Sequence, residues 1–400
     1  MPEIADAPLT GMRVLSVEQY GAGPFASMYM ADMGAEVIKI ENPATGGDSS
    51  RATGPHFLGE GDSHFFQTFN LGKKSLDLDL RHPLGKQVLH RLVVGADALM
   101  NNLRGDQPDK LGLTYADLSL HNPSIVCAHL SGYGRKGLRA KWPAYDYLMQ
   151  AEAGYLSLTG EPDGQVTRMG LSIVDYLTGI TTAFALTAAF VGALRTGKGR
   201  DVDVTLYDVA MHQLTYPATW YMNEGDVVGR RPRSGHPSVV PCEIFPTADG
   251  NIFVMCVLPK FWIKLCEIIG LQDISQDPRF AKPIDRFKNR DLLIELLDAV
   301  FQTQNTTYWI SKMAGQVPAA PVLTLSEAID NPYFSQTGGI QTIDHPKKSK
   351  LRVLSSPIRL DGQRAKATPA PKRGANTDDI LRSVGFLDED IAALRAEKVI

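Results

Sequence analysis

Between residues 13 and 130 short apolar, β-branched runs alternate with stretches of helical character, and this alternation restricts the fold more than any other feature of the chain. Residues 13–18 (RVLSVE) read as a strand, 25–33 as a helix, and 36–41 (EVIKIE), entered through Gly34, as a second strand. Further strands are expected at 74–80, 98–102 and 125–130, with helices at 83–94 and 115–120 between them. Strands separated by helices pair in parallel, with the helices packed on the faces of the sheet. The expected fold class is therefore α/β, with a Rossmann-like parallel sheet. Gly21-Ala22-Gly23 after the first strand is only part of a G-x-G-x-x-G fingerprint. It still marks a place where a ligand can approach the backbone closely.

The rest of the chain is less regular. Residues 42–64 are polar and rich in Gly and Ser and read as a surface loop. Residues 179–194 read as a buried helix, stopped by Gly197, Lys198 and Arg200. A strand at 202–206 and a helix at 208–222 precede a Gly-, Arg- and Pro-rich stretch, 225–237, that reads as a linker. Beyond it lie a hairpin at 243–255 turning on Asp249-Gly250 and helices at 260–269, 291–302 and 307–314. Pro318 and Pro321 break the pattern, and short β stretches at 339–343 and 353–358 lead to a C-terminal helix.

Composition excludes some classes of function. A net charge of −3 offers no basic footprint, so nucleic acid is not an expected partner. No uninterrupted apolar run reaches the length of a bilayer span; the longest candidate, 173–194, is interrupted by Asp175 and several Thr and Gly and reads as a core helix, so no membrane partner is expected. The first residues, MPEIAD, lack the basic and apolar regions of a signal peptide, and a cytoplasmic location is the expectation. Cys127, Cys242, Cys256 and Cys266 sit in apolar contexts without metal-ligand spacing. They read as buried thiols, and no metal site is expected.

Chemistry concentrates around Asp175. It lies in the run GLSIVDYLTG, otherwise apolar, about twenty residues after YDYLMQAEAG, which begins at Tyr145. A carboxylate in such a setting is costly unless it is paired, caps a helix or reacts. Capping the helix that follows is its simplest use.

Four motifs occur in order along the chain: GAGP (21–24) with GAEVIKIE (34–41); FNLGKKSLDLD (69–79) with NLR (102–104) and KLGL (110–113); SGYG (131–134) leading to Tyr145-Asp146 and Asp175; and HPSVVP (236–241) with PTADG (246–250). In this order they resemble the class III CoA-transferase family, over nearly the whole chain. The resemblance implies an enzyme that moves CoA from an acyl-CoA donor to a free carboxylic acid through covalent intermediates on Asp175, a mixed anhydride and then an aspartyl-CoA thioester. It places Tyr145 beside the thioester, and Gly21, Ala22, Asn102, Leu103, Arg104 and Lys110 against CoA. No tightly bound cofactor is implied; the CoA thioester is a substrate.

The resemblance further implies an interlocked homodimer, with a large domain from 1–205 and 330–400, a linker at 206–234 and a smaller α+β domain at 235–325. The alternative within the same superfamily is a 2-methylacyl-CoA racemase or epimerase. Those enzymes use a His where Tyr145 stands, and a phenol is a poor general base at neutral pH. A CoA-binding protein without turnover is a third reading. Two departures from formyl-CoA transferase, Gly21 for a Gln and VLPKF (257–261) for a glycine-rich lid, point away from oxalate as acceptor. Tyr145 and HPSVVP look like members acting on short dicarboxylates, with succinyl-CoA as donor. Arg51 and Arg168 are the candidates for holding a distal carboxylate.

Overall fold

The computed structural model describes residues 7–400 and divides into two compact units. One comprises the chain up to Ala153, Gly170–Leu214 and Pro332–Ile400; the other comprises Gly154–Met169 and Thr215–Asn331. Residues 154–169, expected in the large domain, thus belong with the second unit.

The first unit is built on a six-stranded, wholly parallel sheet. Its elements are β1 (Arg13–Val17), α1 (Ala22–Asp32), β2 (Glu36–Glu41), α2 (His64–Asn70), β3 (Lys74–Asp77), α3 (Pro83–Val94), β4 (Ala98–Asn101), β5 (Val126–Ser131), α4 (Asp146–Glu152), α5 (Ile173–Thr196), β6 (Arg200–Thr205) and α6 (Leu206–His212). The strand order is β3-β2-β1-β4-β5-β6. Alternate residues along β1 point to opposite faces, as a pleated strand requires. Leu15 joins one core with Ile38, Leu76, Leu89 and Leu92, closed by Ile380, Leu381 and Ile391 from the C-terminal helices. Val14 joins the other core with Ala26, Met30, Val37, Met100 and Leu186, beneath α1 and α5. Both faces are covered, so both can be apolar. Strand order reverses between β1 and β4, and ligands of such sheets bind in the crevice outside the carboxyl ends at that point.

Three expectations are corrected here. Residues 42–64 are not a surface loop: they fold into short helical turns (Pro43–Thr45, Ser49–Ala52) and a two-stranded hairpin, with Asp48, Ser50, Arg51, Asp62 and Ser63 buried. The stretch 206–234, a linker in the domain division that the resemblance implies, is helical over much of its length, and the single helix expected at 208–222 is two, α6 and Thr215–Glu224. Helix α5 is a core helix on one face only. Among the described residues it is the one helix long and apolar enough to cross a bilayer, at 24 residues. Val174, Thr178, Thr182, Leu186 and Ala193 are buried, while Ile180, Phe184, Val191 and Leu194 form an exposed stripe, Phe184 being 74% accessible.

The second unit has an antiparallel three-stranded sheet, Ala319–Pro321, Asn251–Met255 and Cys242–Pro246 in spatial order, packed against helices Pro259–Ile268, Arg290–Phe301 and Thr306–Met313. Of the two prolines expected to break the pattern at 318–321, Pro318 precedes an edge strand and Pro321 is its last residue, where a missing N–H is tolerated. In HPSVVP, His236 Nδ1 accepts from the Ser238 and Val239 N–H groups, and the His236 carbonyl accepts from Arg290, which pairs with buried Glu243. The motif builds a turn. All four cysteines are free and buried.

Helices α1 and α5 cross where α5 has Gly179. A Cβ there would lie 2.8 Å from the Ala22 carbonyl oxygen and 3.2 Å from Phe25, so the helices cannot stay this close around any side chain. Gly179→Val should lower unfolding stability by about 1–3 kcal/mol through overpacking. Gly192→Ala, on the same helix with nothing within 4 Å of the added carbon, should raise it by about 0.5–1 kcal/mol. Urea unfolding midpoints of the two variants test the pair.

Candidate active site

Two loops meet at the switch point. The loop after β1 carries Gln19, Tyr20 and Gly21; the loop after β4 carries Asn102, Leu103 and Arg104. Asn102 joins them: its Oδ1 accepts from Gln19 N–H at 2.9 Å and its Nδ2 donates to the Gln19 carbonyl at 2.7 Å. Gly23 leaves room for this, since a Cβ there would come within 2.8 Å of the Asn102 side chain. Tyr20 has a left-handed backbone, φ 70°, and its N–H is held by Asp48 Oδ1 at 3.0 Å.

Beneath these loops lies a layer of buried charge. Lys39 Nζ pairs with Asp48 at 2.8 Å and donates to the Glu18 carbonyl at 2.9 Å. Lys73 Nζ reaches Glu18 Oε1 at 2.8 Å, the Pro24 carbonyl at 3.0 Å and Asn70 Oδ1 at 3.0 Å. Burial opposes the Glu18 charge, but Lys73 and Lys39 hold its carboxyl below the usual range. Burial likewise pulls the Lys73 ammonium down to about 8, against the attraction of Glu18. Arg51 is bidentate to Glu41, at 2.6 and 2.8 Å, and lies over the Phe66 ring. It is committed there, which corrects its candidacy for a substrate carboxylate. Arg168 lies in the second unit and donates to the Met169 carbonyl.

A cavity of about 230 Å³ opens between the loops and the starts of α4 and α5. It is lined by Gly21, Ala22, Asn102, Leu103, Arg104, Tyr145 and Asp175, seven of the eight residues singled out from the sequence. The eighth, Lys110, lines neither this cavity nor its neighbour; it pairs with Asp106 at 2.5 Å, as Arg104 does at 2.6 Å. Two cations thus share one carboxylate, and its pKa is depressed by Arg104 and then Lys110. Tyr145 is exposed, with its ring 6.3 Å from that of Tyr20.

A larger cavity, about 910 Å³, shares Gln19, Ser49 and Leu103 with the first and runs along the ends of β1 to β3. It is lined by Asn42 and by cations that sequence reasoning did not single out, Arg81, Lys372 and Arg373. The last two arrive from some 300 residues downstream in the chain, beyond reach of any local pattern. Asn42 caps the turn at Ala44 and donates to Asp79.

Asp175 is the third residue of α5, not its cap. That role falls to Asp146, whose Oδ2 accepts from the Val174 and Asp175 N–H groups at 2.7 and 3.0 Å. The Asp175 carboxylate rests against Gly21, where a Cβ would lie 2.4 Å from Oδ2. Glycine is required there for this carboxylate to stay where it is. Burial and then the charge of Asp146 push the Asp175 carboxyl up to about 7. A partly shielded carboxylate of raised basicity, aimed into a cavity at the switch point, is suited to attack an electrophilic carbonyl.

Comparison with known proteins identifies the family. Residues 9–377 match the sequence profile of CoA-transferase family III, and the chain belongs to that family. It is 32% identical over 391 residues to a succinate–glutarate CoA-transferase of Agrobacterium fabrum, covering 95% of this chain and 96% of that protein. It is 31% identical over 402 residues to an acetyl-CoA:oxalate CoA-transferase of Acetobacter aceti, covering 99% and 97%. A CaiB/BaiF family protein from Brucella suis has the same fold, with a TM-score of 0.81, 30% identity, and coverage of 94% of this chain and 99% of that one. The protein is a CoA-transferase.

The Asp175 environment gives a pH prediction. An unfolded Asp titrates near 4, whereas the folded Asp175 titrates at about 7. Between these values the folded state holds a proton that the unfolded state has lost, so the contribution of this group to stability falls as pH rises through that window. Asp175→Asn should therefore gain stability over wild type progressively from about pH 4 to pH 7. Urea midpoints measured at four pH values test this, and a constant difference would contradict it.

Proposed function

We propose that Asp175 is the nucleophile of CoA transfer between a CoA thioester, succinyl-CoA by preference, and a short dicarboxylic acid. The observation that carries the reading is the position of the Asp175 carboxylate, in the cavity at the switch point and pressed against a glycine. The carboxylate attacks the donor's acyl carbon, the C–S bond breaks, and a mixed anhydride and CoA thiolate result. The thiolate attacks the aspartyl carbonyl, releasing the donor acid and leaving an aspartyl-CoA thioester. The acceptor carboxylate then attacks that thioester, forming a second anhydride and freeing the thiolate. Attack of the thiolate on the new acyl carbon gives the product thioester and restores Asp175.

In this reading the small cavity takes the thioester end of CoA beside Tyr145. The larger one takes the phosphates and nucleotide, with Arg81, Lys372 and Arg373 as charge partners. Tyr145 stands where a racemase would need an imidazole, which favours transfer over epimerisation. The acid class rests on the relatives' names, succinate, glutarate and oxalate all being dicarboxylates. A relative named for oxalate weakens the argument against that acceptor drawn from Gly21 and residues 257–261.

Wild-type protein incubated with succinyl-CoA and a panel of short-chain acids should give a new acyl-CoA by LC–MS. Asp175→Ala should reduce the rate by on the order of 10³-fold or more. Turnover that survives the substitution refutes the nucleophile assignment. Solvent deuterium entering Cα of a 2-methylacyl-CoA, without transfer, moves the assignment to the epimerase chemistry.

The second part of the proposal concerns assembly. A stripe of four large apolar side chains on one helix is unusual on a free surface, and we read it as covered by a second copy of the chain, interlocked as in the family resemblance. Wild type is expected to sediment as a dimer, and Phe184→Glu to shift it towards monomer or insoluble protein. A wild-type monomer by analytical ultracentrifugation refutes this reading.

A further inference from the structure

We propose that Asp146 is the positioning residue for Asp175: its buried carboxylate occupies the free N–H groups at the start of α5, fixing the nucleophile's backbone and denying those groups to the nucleophile's own charge. The proposal rests on the nucleophile reading of Asp175 above.

The geometry is specific. Asp146 is 4% exposed and Gln150 is fully buried. Asp146 Oδ2 takes the N–H groups of Val174 and Asp175. Its Oδ1 accepts from Gln150 Nε2 at 2.6 Å, and the same amide nitrogen donates to the Leu171 carbonyl at 3.1 Å. Residues 171–175 are therefore clamped from α4 at three points. Ser172, the residue in the capping position of α5, makes no side-chain cap of its own. Asp146 and Gln150 thus hold the Val174 and Asp175 N–H groups and the Leu171 carbonyl at this helix end.

The chemical consequence follows from where the positive end of the helix is used. N–H groups and the dipole at a helix start stabilise an anion there. At Asp175 they would stabilise the free carboxylate and make it a weaker nucleophile. Here they are spent on Asp146, and Asp175 faces that second negative charge in a half-buried site; the raised basicity of Asp175 agrees with this arrangement. When Asp175 becomes an anhydride or a thioester its charge disappears, and the repulsion with it. Asp146 thus favours the acylated enzyme over the free one.

The other ionisable groups on the elements packed here are Tyr145 just before α4, Tyr147 and Glu152 on α4, Tyr176 on α5 and Tyr20 after β1, with Arg104 across the cavity; α6 carries Tyr207, Asp208 and His212 and lines the cavity with Leu206. Burial and the charges of Asp175 and Asp146 raise the pKa of Tyr176, and Arg104 is held by Asp106.

Asp146→Asn keeps an acceptor oxygen for the two N–H groups and removes the charge. The ascending limb of kcat/KM against pH should move down by about one unit. The fraction of enzyme acylated at equilibrium with acyl-CoA, read by intact-protein mass spectrometry, should fall about 3- to 10-fold. An unmoved limb together with an unchanged acylated fraction overturns the proposal, even if turnover drops, because a purely structural cap predicts that result. Asp175→Ala, run alongside, separates the two claims: if it is inactive while Asp146→Asn leaves the pH limb in place, the nucleophile stands and the positioning role fails. If Asp146→Asn does not fold, a carboxyl ¹³C titration of wild type, assigned with Asp175→Asn, reads the same quantity. An Asp175 carboxyl titrating well above the ordinary carboxylate range supports the proposal; an Asp175 titration in that ordinary range overturns it.

Discussion

Much of the site hangs on the buried ion pairs below the carboxyl ends of β1 to β3. Taking a charge out of water costs several kcal/mol even after relaxation, so such a layer persists only when each member is paired and hydrogen-bonded. Glu18 is held by Lys73, Lys39 and Ser27. Asp48 is held by Lys39 and by the N–H groups of Tyr20 and Ser50, and Glu41 by Arg51, Ser75 and the Asp48 N–H. The loop after β1 and the turn at 48–51 are thereby joined as one piece. Removing any one charge would strand its partner, which gives these residues little freedom to vary independently. The left-handed Tyr20 and the position of Gly21 against Asp175 depend on that piece staying in place.

The other constraint is the near contact of α1 and α5. Ala22 and Gly179 let the two backbones meet, and the same approach brings the first turn of α5 to the first turn of α1. Both helix starts therefore open on one cavity. A bulky residue at either crossing point would move Asp175 away from the loop at 19–22, so the packing of the core and the geometry of the site are set by the same small residues.

The sheet was legible in the sequence because its strands are apolar on both faces and its helices are bounded by Gly and Pro. The Asp249-Gly250 hairpin was legible for the same local reasons. The stretch 42–64 was not: its polar composition looks like a solvated loop, and only the fold shows that Asp48, Ser50, Arg51 and Asp62 are inside as partners of one another and of β2 and α2. The motif FNLGKKSLDLD was visible, but its use was not; Asn70, Lys73 and Ser75 all serve the buried ionic layer. Asp175 stood out because a carboxylate in an apolar run is conspicuous. Asp146 was visible in its motif but its use was not, since the helix it caps begins 27 residues further on and a tertiary cap leaves no local spacing to read. Lys372 and Arg373 escaped for the same reason, and nothing local to Lys110 told of its pairing with Asp106 outside both cavities.

Two carboxylates at one helix end look redundant until their different surroundings are compared. Asp146 is enclosed, receives three hydrogen bonds and has no opening to the cavity. Asp175 faces the cavity and, through its side chain, receives none of the helix's N–H groups. A single carboxylate could not be held rigidly by the backbone and remain a strong nucleophile, because the bonds that hold it also quench it. Dividing the two tasks between neighbouring acids removes that conflict, at the cost of placing like charges close together. On the nucleophile reading proposed for Asp175, that cost is greatest when the acid is free and vanishes when it is acylated, which is the direction covalent transfer requires.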